Sequence, residues 1–392
     1  MTEYDIIILG AGMAGLSLAY RGLISGTWKN KKILIIEKEL KAKNDKTFCF
    51  WSQKNNKHLL AFEPIIKYKW DQMKFFENSG NELSFKQKNP QVKYQYNLIH
   101  SLDFYDSIFY YLKLCDNVDI KFDLVRDLIE KESKIIVTTS ERNYSGEQVF
   151  DTRPLKIPTE NEIKSNRYQY FMQHFKGVKL EIKNHNFDLN NIHLMDFRTN
   201  QKFGTSFFYL LPFNKNQLFV EYTLFNKKLL DQKEYDNQIQ IYLKKVLNLD
   251  SKNYKILETE FGVIPMTNFK FERQNTSGRV INLGARGGDT RGSTGYTFYN
   301  TQRTITSILE NYQVPGQLIR IKEPVSNLNK YFDSIFLRVL DAGNYQGSEL
   351  FGDIFKNASI DSILSFLDGE ASFKQSFEII NSVHKLPFIK AL

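Results

Sequence analysis

Tyr4-Asp5-Ile6-Ile7-Ile8-Leu9 runs directly into Gly10-Ala11-Gly12-Met13-Ala14-Gly15. The first six residues form a β-branched run of the kind buried on both faces of a parallel sheet. The next six fit G-x-G-x-x-G. Leu16 to Leu23 reads as a helix with small and apolar residues on its packing face, and Lys32-Ile33-Leu34-Ile35-Ile36 as a second buried strand ending at Glu37. Gly10 permits the tight turn, Gly12 lets the backbone approach a pyrophosphate, and Gly15 lets the helix close on the strand. The helix start offers free N–H groups and the positive end of its dipole to phosphates. Glu37 can accept hydrogen bonds from an adenosine ribose. Strand, helix, second strand and acidic end all fall within 37 residues, which is the context that gives the motif its meaning. The candidate cofactor contacts here are Gly10, Ala11, Gly12, Gly15 and Glu37. Their place at the very start of the chain fits FAD-binding architectures better than most NAD dehydrogenases, by analogy of fold.

Working outward, 392 residues predict more than one domain. With 42% hydrophobic and 25% charged residues, the composition excludes collagen-like, coiled-coil and wholly disordered chains. Two cysteines, Cys49 and Cys115, cannot build a disulfide framework or a multi-cysteine metal site. No histidine pair has ligand spacing either, so no metal site is expected, and a cytoplasmic compartment is. The net charge of +9 favours polyanions or anionic headgroups. Its lysines are dispersed, however, and match no nucleic-acid module, so nucleic acid is not expected as a partner. No stretch reaches the roughly 20 apolar residues of a membrane span, and the N-terminus lacks the basic region of a cleaved signal. Membrane contact, if any, is peripheral.

The pattern predicts an α/β chain, α+β overall. A Rossmann-like FAD-binding domain is built from residues 1–70, 99–155 and 276–330, with a substrate domain inserted into it. Strands of 71–98 and a sheet-rich block of 156–275 supply that domain, and 331–392 forms a helical C-terminus. Lys69 to Tyr96 alternates around the turn signal Asn78-Ser79-Gly80-Asn81. His100 to Cys115 reads as a helix, Asp119 to Asp123 and Lys134 to Thr139 as strands. In the sheet-rich block the strand candidates are Phe171 to Phe175, Lys179 to Ile182, Asn191 to Phe197, Ser206 to Leu211, Gln217 to Thr223 and Lys255 to Met266. Arg279 to Leu283 is another buried strand, leading to Gly284. Apolar stripes follow in Tyr331 to Leu340, Ile360 to Leu367 and Phe373 to Val383.

Several segments together resemble the lycopene cyclase family. They are Gly10 to Gly15, Asp45-Lys46-Thr47-Phe48-Cys49-Phe50-Trp51, Tyr168 to Gly177, Leu194 to Arg198, Phe208 to Phe213, Leu218-Phe219-Val220-Glu221-Tyr222-Thr223 and Gly262 to Met266. Gly284-Ala285-Arg286-Gly287-Gly288, Ser293-Thr294-Gly295-Tyr296 and Leu386-Pro387-Phe388 complete the set. The resemblance implies the para-hydroxybenzoate hydroxylase fold and non-covalent FAD, held in part by Gly284 and Gly288. It also implies NAD(P)H as electron source, peripheral contact with a membrane, and lycopene or another acyclic carotenoid as substrate. The implied reaction closes the ends of lycopene to β-ionone rings without net oxidation. Glu221 matches the family's general acid. Strand alternation alone leaves open whether Glu221 faces solvent or a pocket.

Two departures stand out. A second acid often follows the first in this motif, where this chain has Tyr222. The glycine-rich segment often has Met and Pro where this chain has Asp289 and Gly292. Asp45, Asp151 and Arg153 lie in segments that resemble cofactor-proximal turns and equally suit ion-pair or capping roles. Gln173, His174 and Asp196 are candidates for a substrate channel or for plain structure. Two other functions fit the pattern: a flavin monooxygenase or prenyl-lipid reductase on the same fold, and a non-catalytic carotenoid-binding membrane partner.

Overall fold

The computed structural model describes residues 1–392 except 86, 88–92, 155–156, 184–185 and 313–316. Its parallel core begins with Thr2–Leu9, flanked by Ile33–Glu37 on one side and Asn143–Asp151 on the other. Val118–Phe122 extends the sheet beyond Ile33–Glu37. Asn143–Asp151 divides its edge: its last residues pair in parallel with Val280–Asn282, and its first residues pair antiparallel with Lys134–Thr139. Ile6, Ile7, Ile8 and Leu9 are wholly buried, as strands covered on both faces must be. The helices Met13–Ile24, Ser101–Lys113 and Phe298–Asn311 pack together in the hydrophobic cluster on one of those faces.

Among the described residues a second sheet has seven strands, ordered Tyr254–Thr267, Tyr170–Ile182, Gln217–Asn226, Thr205–Asn214, Asn191–Asp196, Gln72–Phe76 and Glu82–Phe85. The two short segments expected within 171–182 are one continuous strand, because Tyr170–Ile182 is bonded along both edges. Tyr94–His100 does not join this sheet. It pairs with Thr47–Gln53 and Tyr68–Trp70 in a three-stranded sheet of its own.

The large sheet is covered on both faces. On one, Val220, Tyr222 and Leu224 pack under the helix Gln232–Lys245 through Tyr235, Ile239, Tyr242 and Leu243. That spacing is the apolar stripe of an amphipathic helix. On the other, Phe207, Phe219 and Phe225 meet the three-stranded sheet and the C-terminal helices Asn327–Ala342, Gly347–Asn357, Ile360–Leu367 and Phe373–Ser382. Arg291 ties the helical part to the rest. Its buried guanidinium pairs with Asp333 at 3.1 Å and donates to the carbonyls of Phe366 and Leu367.

The glycine motif separates into two physical roles. A Cβ on Gly15 would lie 2.0 Å from the Gly10 carbonyl oxygen, whereas one on Gly12 would have nothing within 4 Å. Gly15→Ala should therefore lower unfolding stability by about 1–3 kcal/mol, and Gly12→Ala should leave it nearly unchanged. Paired chemical-denaturation curves of the two variants check this.

Candidate functional site: two glycine turns and an enclosed carboxyl

Gly10 has φ +99°, a left-handed conformation that glycine adopts without strain. Its carbonyl and that of Leu9 accept the Thr152 hydroxyl at 3.1 and 2.8 Å, fixing the turn to the neighbouring strand. Glu37 is buried at the end of the second strand, where one carboxylate oxygen accepts the Ala11 N–H at 2.7 Å. The other accepts the N–H groups of Lys38 and Glu39. No side chain caps the helix that starts at Met13. Its leading N–H groups and the open space over Gly12 therefore suit a phosphate.

A second glycine turn meets the first. Gly284 has φ +71°, and a Cβ there would fall 2.9 Å from the Ala14 Cβ. Asp289, one of the two departures in this segment, is wholly buried and works as a staple. It accepts the Gly284 N–H at 2.8 Å, the Thr304 hydroxyl at 2.7 Å and Arg273 at 2.7 Å. Gly292, the other, is required by close approach: a Cβ would lie 2.6 Å from the Thr267 carbonyl oxygen. Gly288 closes the turn with φ +81° beside Phe271.

Glu221 lies mid-strand on the face turned toward the three-stranded sheet. Across the sheet its rank reads Tyr209, Glu221, Gly177, Glu260. The central glycine leaves room for the Phe219 ring, which a Cβ would meet at 2.3 Å. Burial, then the charge of Glu260, pushes the Glu221 carboxyl up to about 8, against a 2.6 Å hydrogen bond from the Thr223 hydroxyl. Burial raises Glu260 as well, while the Thr47 N–H at 2.9 Å and hydroxyl at 2.5 Å oppose it. Cys49, Tyr96 and Tyr209 complete the surroundings. Burial holds each well above its usual range, and the Glu221 charge adds to the effect. The site thus contains an acid kept neutral by its environment.

A cavity of about 370 Å³ reaches this cluster from the C-terminal helices. Its lining is almost entirely apolar and aromatic, and Phe207, Tyr209 and Tyr296 bound it on the side of Glu221. Its size falls within the roughly 300–1,000 Å³ of small-molecule sites. Glu221 stands behind Tyr209 rather than in the lining itself.

The remaining candidates divide by face. Tyr222 points away from Glu221 into the core under the helix Gln232–Lys245, so an acid there would not reach the site; the nearby carboxylate is instead that of Glu260. His174 also lies on the helix side, bonded to the Tyr235 hydroxyl at 2.6 Å and lowered by burial to about 4. Asp196 accepts Tyr242 and Arg198 beneath the same helix. Burial alone would raise it, but these bonds and His193 hold it down to about 2. Neither His174 nor Asp196 is among the residues lining the cavity. Gln173 faces the site side, its side-chain oxygen buried against Gly295 without a hydrogen bond. Asp151 pairs with Arg153 at 2.6 Å and Arg286 at 3.1 Å beside the second glycine turn. Asp45 accepts the Ser101 and Tyr105 hydroxyls. Glu260, Tyr209 and Tyr296 are site residues that the sequence did not single out. Asp368 is another: burial and Glu370 raise it to about 8, and it lines a small pocket with Cys49, Trp51 and Tyr296.

The profile described as lycopene cyclase protein matches residues 5–392. The chain belongs to the lycopene cyclase family. A curated relative, the chloroplastic neoxanthin synthase of Solanum tuberosum, is 27% identical over 179 residues. That match spans 43% of this chain and only 34% of the relative. Among solved structures, p-nitrophenol 4-monooxygenase from Pseudomonas putida aligns with TM-score 0.61 at 12% identity, covering 100% of this chain and 99% of that one. A geranylgeranyl bacteriochlorophyll reductase-like protein from Thermoplasma acidophilum aligns with TM-score 0.60 at 11% identity, covering 100% and 98%. At such identities the likeness is one of fold: the mixed α/β, hydroxylase-type architecture expected from the sequence.

In this lycopene cyclase homologue the carboxyl stretch of protonated Glu221 should be visible by difference infrared spectroscopy at neutral pH. It should fade as pH rises through about 8 and be missing in Glu221→Gln. Glu260→Gln removes a charge that disfavours ionisation, so the same band should fade at lower pH.

Proposed function

We propose that the protein is a lycopene β-cyclase, closing the acyclic ends of lycopene to β-ionone rings by proton-initiated carbocation cyclisation. The observation that best supports this is a carboxyl, Glu221, raised to about 8 beside the inner end of an apolar cavity. At neutral pH it is an acid with a proton to give. Cyclisation asks for three things: a proton on the terminal double bond, a surrounding that tolerates the tertiary cation, and a base for the departing ring proton. Glu221 gives the first proton. Tyr209 and Tyr296 in the lining offer electron-rich ring faces to the cation. The Glu221 carboxylate, recharged by the ring proton, restores the starting state, so mass is conserved. Burial is the main cause of the raised Glu221 carboxyl, and a charge on Glu260 raises it further.

FAD is the proposed cofactor: Gly10, Ala11 and Gly12 would receive its pyrophosphate, Glu37 its ribose, and Gly284 and Gly288 its ring end. The open space above Gly12 and the uncapped helix start fit such a ligand. When bound and reduced, with NAD(P)H as electron source, the flavin supplies an electron-rich neighbour to the cationic centre. The substrate is taken from a membrane by peripheral contact.

Glu221→Gln keeps size and hydrogen bonding but has no proton to give. In a lycopene-accumulating bacterial host its cyclic product should fall by about 10²–10⁴-fold at matched protein and flavin content. Glu221→Asp should retain part of the activity, and wild-type activity should decline as pH rises through about 8. Gly12→Val, with a stable fold, should purify without flavin absorbance. Products heavier by an oxygen or by two hydrogens would instead identify a monooxygenase or a reductase.

A further inference from the structure

The outer end of the cavity lies at two short helices, Phe373–Ser382 and Lys385–Lys390. On the first, Phe373, Phe377 and Ile380 share a face and are 85%, 58% and 43% exposed. Leu386, Ile389 and Leu392 continue the patch at 62%, 61% and 68%. Glu378, the acidic residue of these helices, is turned inward to the Ser359 N–H at 2.6 Å and the Ser362 hydroxyl at 2.7 Å. Lys374, Lys385 and Lys390 are exposed alongside the apolar residues. Ile380, Ile389, Leu392 and Tyr331 belong at once to this exposed surface and to the cavity lining. The patch is the rim of the cavity mouth.

We infer that these two helices form a docking face for an anionic lipid bilayer and that the cavity opens directly into its acyl region. The inference rests on reading the cavity as the site of a water-insoluble polyene. Short helices with apolar residues on one side and lysines beside them lie in the plane of a membrane interface. Among the described residues no helix is long and apolar enough to cross. Lysines complement anionic headgroups, as does the net charge of +9. A lipid surface also leaves the mouth usable, whereas a protein partner seated on its rim would close it.

Flotation of the FAD-loaded protein with vesicles of phosphatidylcholine, with and without phosphatidylglycerol, tests this. Wild type should float with the anionic vesicles. Partitioning should fall by about fivefold for each of Lys374, Lys385 and Lys390 changed to Gln. Phe373→Glu with Phe377→Glu should abolish flotation, and Tyr110→Glu, an exposed aromatic on the helix Ser101–Lys113, should not change it. All variants except Lys385→Gln, whose side chain also lines the cavity, should turn over detergent-dispersed lycopene like wild type. Flotation that survives the paired Phe373 and Phe377 changes, or wild type that never floats, overturns the docking face. So does a dimer that these changes split, since the occupant is then a second copy. Normal, patch-dependent flotation with no carotenoid turnover leaves the docking face standing and refutes the enzymatic reading instead.

Discussion

Two carboxyl groups, Glu221 and Glu260, share one rank of a β-sheet with only Gly177 between them. Burying a carboxylate costs free energy unless it is paired, and among the described residues Glu221 has no ion-pair partner. The cheaper state is a neutral Glu221, and the surroundings follow from it. Thr47 holds Glu260 through two hydrogen bonds, which oppose the upward push of its burial. Thr223 holds Glu221 through one. Cys49, Tyr96 and Tyr209, the other polar groups within range, are pushed away from ionising themselves.

The rest of the architecture encloses this arrangement and links it to the two glycine turns. The three-stranded sheet delivers Thr47, Cys49 and Tyr96 from one side. The segment after the second glycine turn delivers Tyr296, and Asp289 fixes its start. Arg291 then binds that segment to the C-terminal helices, which wall the cavity.

The dinucleotide half was readable because its signals are local. A β-branched run, three glycines at fixed spacing and an acid at a strand end each act on immediate neighbours, and the strand–turn–helix–strand they predict is formed. Gly15 touches Gly10, and Glu37 touches Ala11. Glu221 was found through resemblance, but its orientation was not readable from alternation. Only the pairing that brings it beside Tyr209 and Gly177 shows which face is enclosed. Glu260 was invisible for the same reason: the strand around it alternates as a surface strand would, and its neighbour lies on another strand. Tyr222 looked like a lost acid in sequence, yet the two-residue period of a strand sends it to the opposite face. The helix Gln232–Lys245 carries a legible stripe of Tyr235, Ile239, Tyr242 and Leu243, obscured by the strand patterns on either side of it.

The central claim is that a carboxylic acid of the protein starts the reaction by protonating the substrate. Its proton exchanges with solvent, so the label of the solvent must appear in the product. Conversion of lycopene by the purified, flavin-loaded protein in deuterium oxide, followed by mass measurement of the pigment, is the direct test. The account predicts one deuterium retained for every ring closed, with ring formation in Glu221→Gln falling by the same large factor. Rings formed at the normal rate without deuterium would contradict it.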